Sequence, residues 1–196
     1  GEIIVLGDEP VLPYQRPPLS KAYLSGEQEQ EKLLLRAAAF YEKQNIEVKT
    51  STSVTEINPQ NSTIRIDDRE DLSFEHLLIA TGSRVRKINV SGSELNNIHY
   101  LRTIEDVDQI RSGMAKDKKL VIVGGGYIGL EVAAIATQAG MNVRVLETED
   151  RVLQRVTTPT MSNYYTRLHE KRGVRIHTKT RVIGFEGKSA VERVIC

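Results

Sequence analysis

Leu120–Glu147 reads LVIVGGGYIGLEVAAIATQAGMNVRVLE, and the order of its parts decides the fold. Leu120-Val121-Ile122-Val123 is a short, β-branched apolar run of the kind that forms a strand buried on both faces. Gly124-Gly125-Gly126-Tyr127-Ile128-Gly129 follows as a G-x-G-x-x-G. An apolar helical segment runs from Leu130 to Ala139, with Gly140 where a helix stops. Met141 to Leu146 reads as a second strand, and Glu147 stands at its end. In such a unit Gly124 permits the tight turn, Gly126 lets the backbone approach a pyrophosphate, and Gly129 lets the helix lie close to the sheet. The helix start, with Ile128 counted in the loop, offers unpaired N–H groups and a positive dipole end to phosphates. Glu147, about 20 residues on, can accept hydrogen bonds from a ribose diol and would repel a 2′-phosphate, favouring NAD(H) over NADP(H).

Composition bounds the rest. A chain of 196 residues holds one large domain or two small ones, and 39% hydrophobic with 27% charged residues fits a soluble protein. A net charge of +1 with no basic run gives no attraction to nucleic acid or to a membrane surface. No apolar stretch reaches the length of a membrane span, and no signal peptide is visible. Cys196 is the single cysteine, which excludes a disulfide framework and a cysteine-based metal site and suits a cytoplasmic protein. The four histidines are scattered, and no metal site is expected.

Taken in order, Glu2 to Leu6 reads as a strand ending at Gly7-Asp8. The loop Glu9 to Leu19 follows, where Pro17-Pro18 argues against helix. Ser20 is placed to cap a short helix from Lys21, broken at Gly26. Gln30 to Gln44 is expected as a helix, and Ile46–Lys49 and Ser53–Asn58 as strands. Ser62–Ile66 and Leu72–Phe74 read as a hairpin. His76–Ala80 is expected as a buried strand running into Thr81-Gly82, residues 84–100 as a linker, and Thr103–Gly113 as a helix.

A repeat runs through the chain. Residues 40–50, FYEKQNIEVKT, resemble residues 168–178, LHEKRGVRIHT, at a constant offset. At that offset Thr52, Val54 and Ile57 fall on Thr180, Val182 and Phe185. The strand ending at Asp8 parallels the strand ending at Glu147. The fold class is therefore α/β, with two Rossmann-like, three-layer dinucleotide-binding units. Both are expected to be incomplete: the first has no glycine loop ahead of its acid, the second no closing strand, and the chain reads as cut at both ends.

Asp8-Glu9-Pro10, Pro13-Tyr14, Arg16-Pro17-Pro18-Leu19-Ser20-Lys21, Ala80-Thr81-Gly82-Ser83-Arg84, Leu101-Arg102-Thr103 and Gly124 to Glu131 occur in this order in one flavoprotein group. The chain resembles the NADH-dependent ferredoxin reductases of the FAD-dependent pyridine nucleotide-disulfide oxidoreductase superfamily. The resemblance covers nearly the whole chain, and Arg16 to Lys21 is its most specific part. It implies an FAD-binding unit over residues 1–112, lacking its first strand and glycine loop and including the linker. It implies an NAD-binding unit over 113–196, lacking its last strand. It places Asp8 at the adenosine ribose of FAD, Val54 at the adenine end and Arg102 at the pyrophosphate. Arg16 belongs to the same FAD-binding set, Lys21 lies near the reactive flavin ring, and Ala80, Thr81 and Gly82 close the FAD unit. Glu131 is placed near the nicotinamide. No residue is nominated as an acid or base, because hydride transfer needs none.

Residues 9–30 contain no cysteine, unlike the disulfide reductases and single-cysteine oxidases of that superfamily, so electrons are expected to leave the flavin directly for an outside acceptor. The implied activity is transfer from NADH through FAD to a one-electron iron–sulfur partner of ferredoxin or rubredoxin type. Two readings stand beside it: an NADH-dependent flavoprotein using oxygen, a quinone or a nitrite-reducing module, and a non-catalytic NAD-binding redox module. The chain by itself is expected to bind FAD poorly.

Overall fold

The computed structural model describes residues 1–196. The first half holds β1 (Ile3–Leu6), α1 (Ala22–Ser25), α2 (Ala38–Lys43), β2 (Ile46–Lys49), β3 (Val54–Asn58), β4 (Thr63–Ile66) and β5 (Glu70–Ser73). The second half holds α3 (Ile104–Gly113), β6 (Lys119–Val123), α4 (Tyr127–Gln138), β7 (Asn142–Leu146), α5 (Pro159–Lys171), β8 (Arg175–His177), β9 (Gly184–Glu186) and β10 (Arg193–Ile195). The chain packs as two units, one of residues 1–16 and 30–83, the other of 17–29 and 84–196. No helix is long and apolar enough to cross a membrane.

The first unit pairs β1 with β2 in parallel and builds an antiparallel sheet β3-β4-β5. The helix expected over Gln30–Gln44 is not continuous. A 3₁₀ turn covers Gln30–Leu33, and only Ala38–Lys43 is α-helical. Between them the backbone is drawn off to other partners: Gln15 N–H donates to Leu33 O, and Leu35 N–H to Pro13 O. Leu33 is thereby fully buried. The expected strand His76–Ala80 is absent, and Leu78 and Ile79 are 88% and 62% exposed. A strand exists only as part of a ladder, and the β1–β2 sheet has just those two members.

The second unit centres on the parallel sheet β6-β7-β8. Alternation along β7 sends Val143 and Val145 to one face, where Ala133 and Ala136 of α4 meet them with Met141 and Val174. Burying each valine stabilises this layer by about 1.5–3 kcal/mol. On the other face Leu146 packs with Val182 and Phe185, and Ile88, Val90, Leu95 and Ile98 close over them. Residues 84–100 are thus a packed cover rather than a linker. Phe185 N–H donates to Ser91 O, and a Cβ on Gly92 (φ +77°) would stand 2.1 Å from Phe185 O. Thr103 caps α3 in a full capping box with Asp106, stabilising it by about 1 kcal/mol.

Pro17–Ser20 forms a 3₁₀ turn, against the expectation that the proline pair excludes helix. A helical first turn needs no N–H from its opening residues, so proline fits there. Nor does Ser20 cap α1, whose N-cap is Lys21 without a side-chain bond.

The repeat is physical. Thr52 and Thr180 each donate a hydroxyl to the carbonyl two residues back at 2.9 Å, and Ser51 and Lys179 both adopt left-handed backbone (φ +51° and +53°). The ladders also correct one parallel. Gly7 N–H donates to Lys49 O as Glu147 N–H donates to His177 O, so Gly7, not Asp8, occupies the place of Glu147.

His169, on α5, is buried beside a hollow lined by Ala134, Thr137, Gln138, Arg172 and Val174. Burial, with a smaller effect of the Arg172 charge, holds its imidazole below the ordinary value. The folded state therefore binds the proton less readily than the unfolded chain, and stability rises with pH across this group. Denaturant melts are expected to show stability falling as pH drops below about 6.5, with the slope reduced in His169→Gln. An unchanged slope would remove His169 as its cause.

Candidate functional site

β6 leads directly into the glycine loop. Gly124 N–H extends the ladder to Leu146 O, and the chain then turns at Gly124 with φ +110°, a conformation that favours glycine. Gly126 is the N-cap of α4, and Leu130 N–H is bonded to its carbonyl. The N–H groups of Tyr127, Ile128 and Gly129 therefore fall in the first turn, where a helix has no acceptors of its own. Ile128 is 53% exposed, so its part in the loop is its backbone. A Cβ on Gly129 would stand 2.2 Å from Gly124 O, whereas one on Gly126 would meet nothing within 4 Å. The cradle is open at Gly126 and closed at Gly129.

Glu147 lies behind the loop. Its Oε2 accepts from Gly125 N–H at 2.7 Å and its Oε1 from Glu149 N–H at 2.8 Å. Each oxygen keeps a further lone pair for a ribose hydroxyl. Gly125, an unassigned position of the motif by sequence, is the most confined of the three consecutive glycines: a Cβ there would meet Val152 at 3.0 Å and Glu147 Oε2 at 3.1 Å. The signal in the sequence is a glycine at the free middle position of G-x-G, outside any periodicity.

Further along α4, Glu131 receives Lys21 Nζ at 2.9 Å and the Ser20 hydroxyl at 2.5 Å on one oxygen, Oε2. Ser20 is buried, and its role as a partner of Glu131 was not legible from its place before a helix. The segment is fixed by Leu19, Tyr23 and Leu24, all buried, and by Tyr23 Oη donating to Asp108 at 2.9 Å. The Arg111 guanidinium lies over the same ring, 5.4 Å from its centre. Burial, then the hydrogen bond and charge of Asp108, push the Tyr23 phenol up.

Lys21, Arg102, Gly124, Gly126, Ile128, Gly129, Glu131 and Glu147 thus belong to the second unit. Arg102 immediately precedes the N-cap of α3, its N–H donating to Asp106. Asp8, Arg16, Val54, Ala80, Thr81 and Gly82 belong to the first unit. Arg16 pairs with Glu9, donates to Tyr14 Oη at 3.0 Å and lies over that ring. Asp8 is exposed, Val54 is 42% exposed on β3, and Ala80–Gly82 are exposed and irregular, with Gly82 at φ +69°.

Over residues 1–196 the chain matches the family described as pyridine nucleotide-disulphide oxidoreductase, and it belongs to that family. Within it, the chain is 45% identical to putidaredoxin reductase of Pseudomonas putida, over 99% of this chain and 47% of that protein. It is 44% identical to a probable ferredoxin reductase of Castellaniella defragrans, over 95% of this chain and 46% of that protein. Among solved structures it superimposes on the covalent putidaredoxin reductase–putidaredoxin complex with a TM-score of 0.96 and 44% identity, covering 100% of this chain and 48% of that one. The chain spans about half the length of the curated relatives it matches.

Proposed function

We propose that the protein takes hydride from NADH onto bound FAD and passes the electrons singly to an iron–sulfur protein of ferredoxin or rubredoxin type. The observation that carries this reading is that one helix, α4, starts at the glycine loop and presents Glu131, against which Lys21 is held. Bound FAD supplies the chemistry, accepting an electron pair and releasing electrons one at a time.

The chain's own residues bind and orient. The open face at Gly126, with the first-turn N–H groups and dipole of α4, fits a pyrophosphate. Glu147 fits a ribose diol and repels a 2′-phosphate. Lys21 is assigned to stabilise negative charge beside the flavin ring, held by Glu131, which Ser20 bonds in turn. Asp8, Arg16, Val54, Ala80, Thr81, Gly82 and Arg102 are assigned to FAD. By ligand, residues 1–112 serve FAD and 113–196 serve NAD(H). Reductases of putidaredoxin and ferredoxin among the relatives support the acceptor class. So does the lack of a thiol in residues 9–30, since Cys196 is the single cysteine. A cytoplasmic location, and a protein partner rather than nucleic acid or membrane, belong to the same reading.

The acceptor is tested by reducing the FAD-loaded protein with NADH without air and mixing it with a ferredoxin, a rubredoxin, a quinone or dioxygen. Fastest reoxidation by an iron–sulfur protein is expected; fastest reoxidation by dioxygen or quinone would overturn the acceptor assignment. Glu147→Ala is expected to weaken NADH binding by about 2 kcal/mol, roughly thirtyfold, while narrowing the gap to NADPH. Titrations of both nucleotides against wild type and variant check this.

A further inference from the structure

We infer that Arg151 is a positioning residue of the dinucleotide loop, acting through Leu153 on the Gly125–Gly126 peptide. The inference rests on the reading of Gly124–Gly129 as the NAD(H) site.

Residues 151–157 form a tight turn behind the glycine loop, and Arg151 is its hub. Its Nη1 donates to Thr157 O at 2.9 Å and to Ser162 Oγ at 2.6 Å, and its Nη2 donates to Gln154 O at 3.1 Å. Ser162, fully buried, donates in turn to Val152 O at 2.6 Å. One guanidinium thus gathers carbonyls on the C-terminal side of Leu153 and, through Ser162, the carbonyl on its N-terminal side. Between these fixed points Leu153 adopts φ +56°, a left-handed backbone that a branched side chain disfavours, yet its side chain is buried. Such a conformation persists only where the surroundings impose it. Val156 N–H and Thr157 N–H hold the Leu153 carbonyl at 3.0 and 3.1 Å, and the bonds of Arg151 and Ser162 fix the carbonyls on either side.

The held conformation has an address. Leu153 N–H donates to Gly125 O at 2.9 Å. The Gly125–Gly126 peptide is planar and trans, so its carbonyl and its N–H point in opposite directions. Tying the Gly125 carbonyl to Leu153 therefore turns the Gly126 N–H away from residues 151–157. Glu147 restrains the same glycine from its other end, through Gly125 N–H. Without Arg151 the carbonyls flanking Leu153 lose their shared donor, the turn loosens around the bonds of Val156 and Thr157 to Leu153 O, and the Gly125–Gly126 peptide is held less firmly. A phosphate would then meet a Gly126 N–H that is no longer preset. Arg151 need not touch the nucleotide to do this.

The test uses the FAD-loaded protein expressed from its complete reading frame, with wild type, Arg151→Met and Arg151→Lys. NADH and ADP-ribose are each expected to bind Arg151→Met about tenfold more weakly. The limiting rate of flavin reduction at saturating NADH should stay within about twofold, because an interaction removed equally from ground and transition states leaves that rate unchanged. Arg151→Lys, which keeps the charge and some donors, should fall between the two and covers a failure of Arg151→Met to fold. Amide hydrogen exchange at Leu153 should quicken in Arg151→Met, and the Gly126 amide resonance should move. A lower melting temperature with unchanged nucleotide affinity and an unmoved Gly126 resonance would overturn the inference alone. Failure of wild type to bind NADH would overturn it together with the reading of the site.

Discussion

Gly126→Ala is expected to lose about a hundredfold in NADH affinity while melting within a few degrees of wild type. The two effects separate because of where the new methyl goes. At Gly126 a Cβ meets no protein atom within 4 Å, and φ −78° suits alanine. The fold therefore yields nothing, beyond a small loss from alanine's weakness as an N-cap. The nucleotide does yield, since the methyl occupies the approach to the first-turn N–H groups; about 2.7 kcal/mol corresponds to a hundredfold. Gly129→Ala should behave differently. Its methyl would stand 2.2 Å from Gly124 O, a backbone atom, so helix and strand must part. Forcing atoms into filled space costs about 1–3 kcal/mol of stability, and affinity falls with it. Calorimetric titration with NADH beside thermal melts checks both. Gly126→Ala binding like wild type would show that the pyrophosphate does not lie there.

Lys21→Met is expected to slow flavin reduction by about 10²-fold, the scale of losing one preorganised group at developing charge. Nucleotide affinity should change little, because Lys21 is bonded to Glu131 and not to the glycine loop. Glu131→Gln should slow the reaction less, since the lysine keeps its charge and loses its holder, while Ser20 can still bond the amide oxygen. The segment itself should survive both changes: Leu19, Tyr23 and Leu24 are buried, and Tyr23 stays bonded to Asp108. Stopped-flow reduction at saturating NADH measures the effect. An unchanged rate in Lys21→Met would remove the lysine from the reaction.

What was legible in the amino-acid order is what local spacing determines. β6, the glycine loop, α4 and β7 lie within a few residues of their sequence-read bounds, because the glycine spacing and the apolar periodicities of that stretch are each satisfied by neighbours. The repeat was legible for the same reason. The elements that depart from the sequence pattern share a different cause. Gln30–Gln44 is interrupted because Pro13–Gln15 takes its backbone bonds, and His76–Ala80 is no strand because it has no ladder to join. Residues 84–100 looked polar and loose, yet four of their apolar side chains cover a sheet face built from the far end of the chain. Long-range partners decide all three.

The site divides in the same way. The glycines of the motif and Glu147 are marked by spacing, and the structure brings them together. Ser20, read as a helix cap, instead bonds a glutamate 111 positions away. Gly125 and Arg151 carry no periodic signal, because their importance lies in what holds Gly125 from behind. Ladder register, which sequence does not display, puts Gly7 and not the neighbouring acid Asp8 in the place of Glu147.

The most direct measurement is an anaerobic titration of the FAD-loaded protein with NADH, and separately with NADPH, read by the visible absorbance of the flavin. Stoichiometric bleaching by NADH and little response to equal NADPH are expected. NADH that binds, as shown by calorimetry, while leaving the flavin colour unchanged would contradict it.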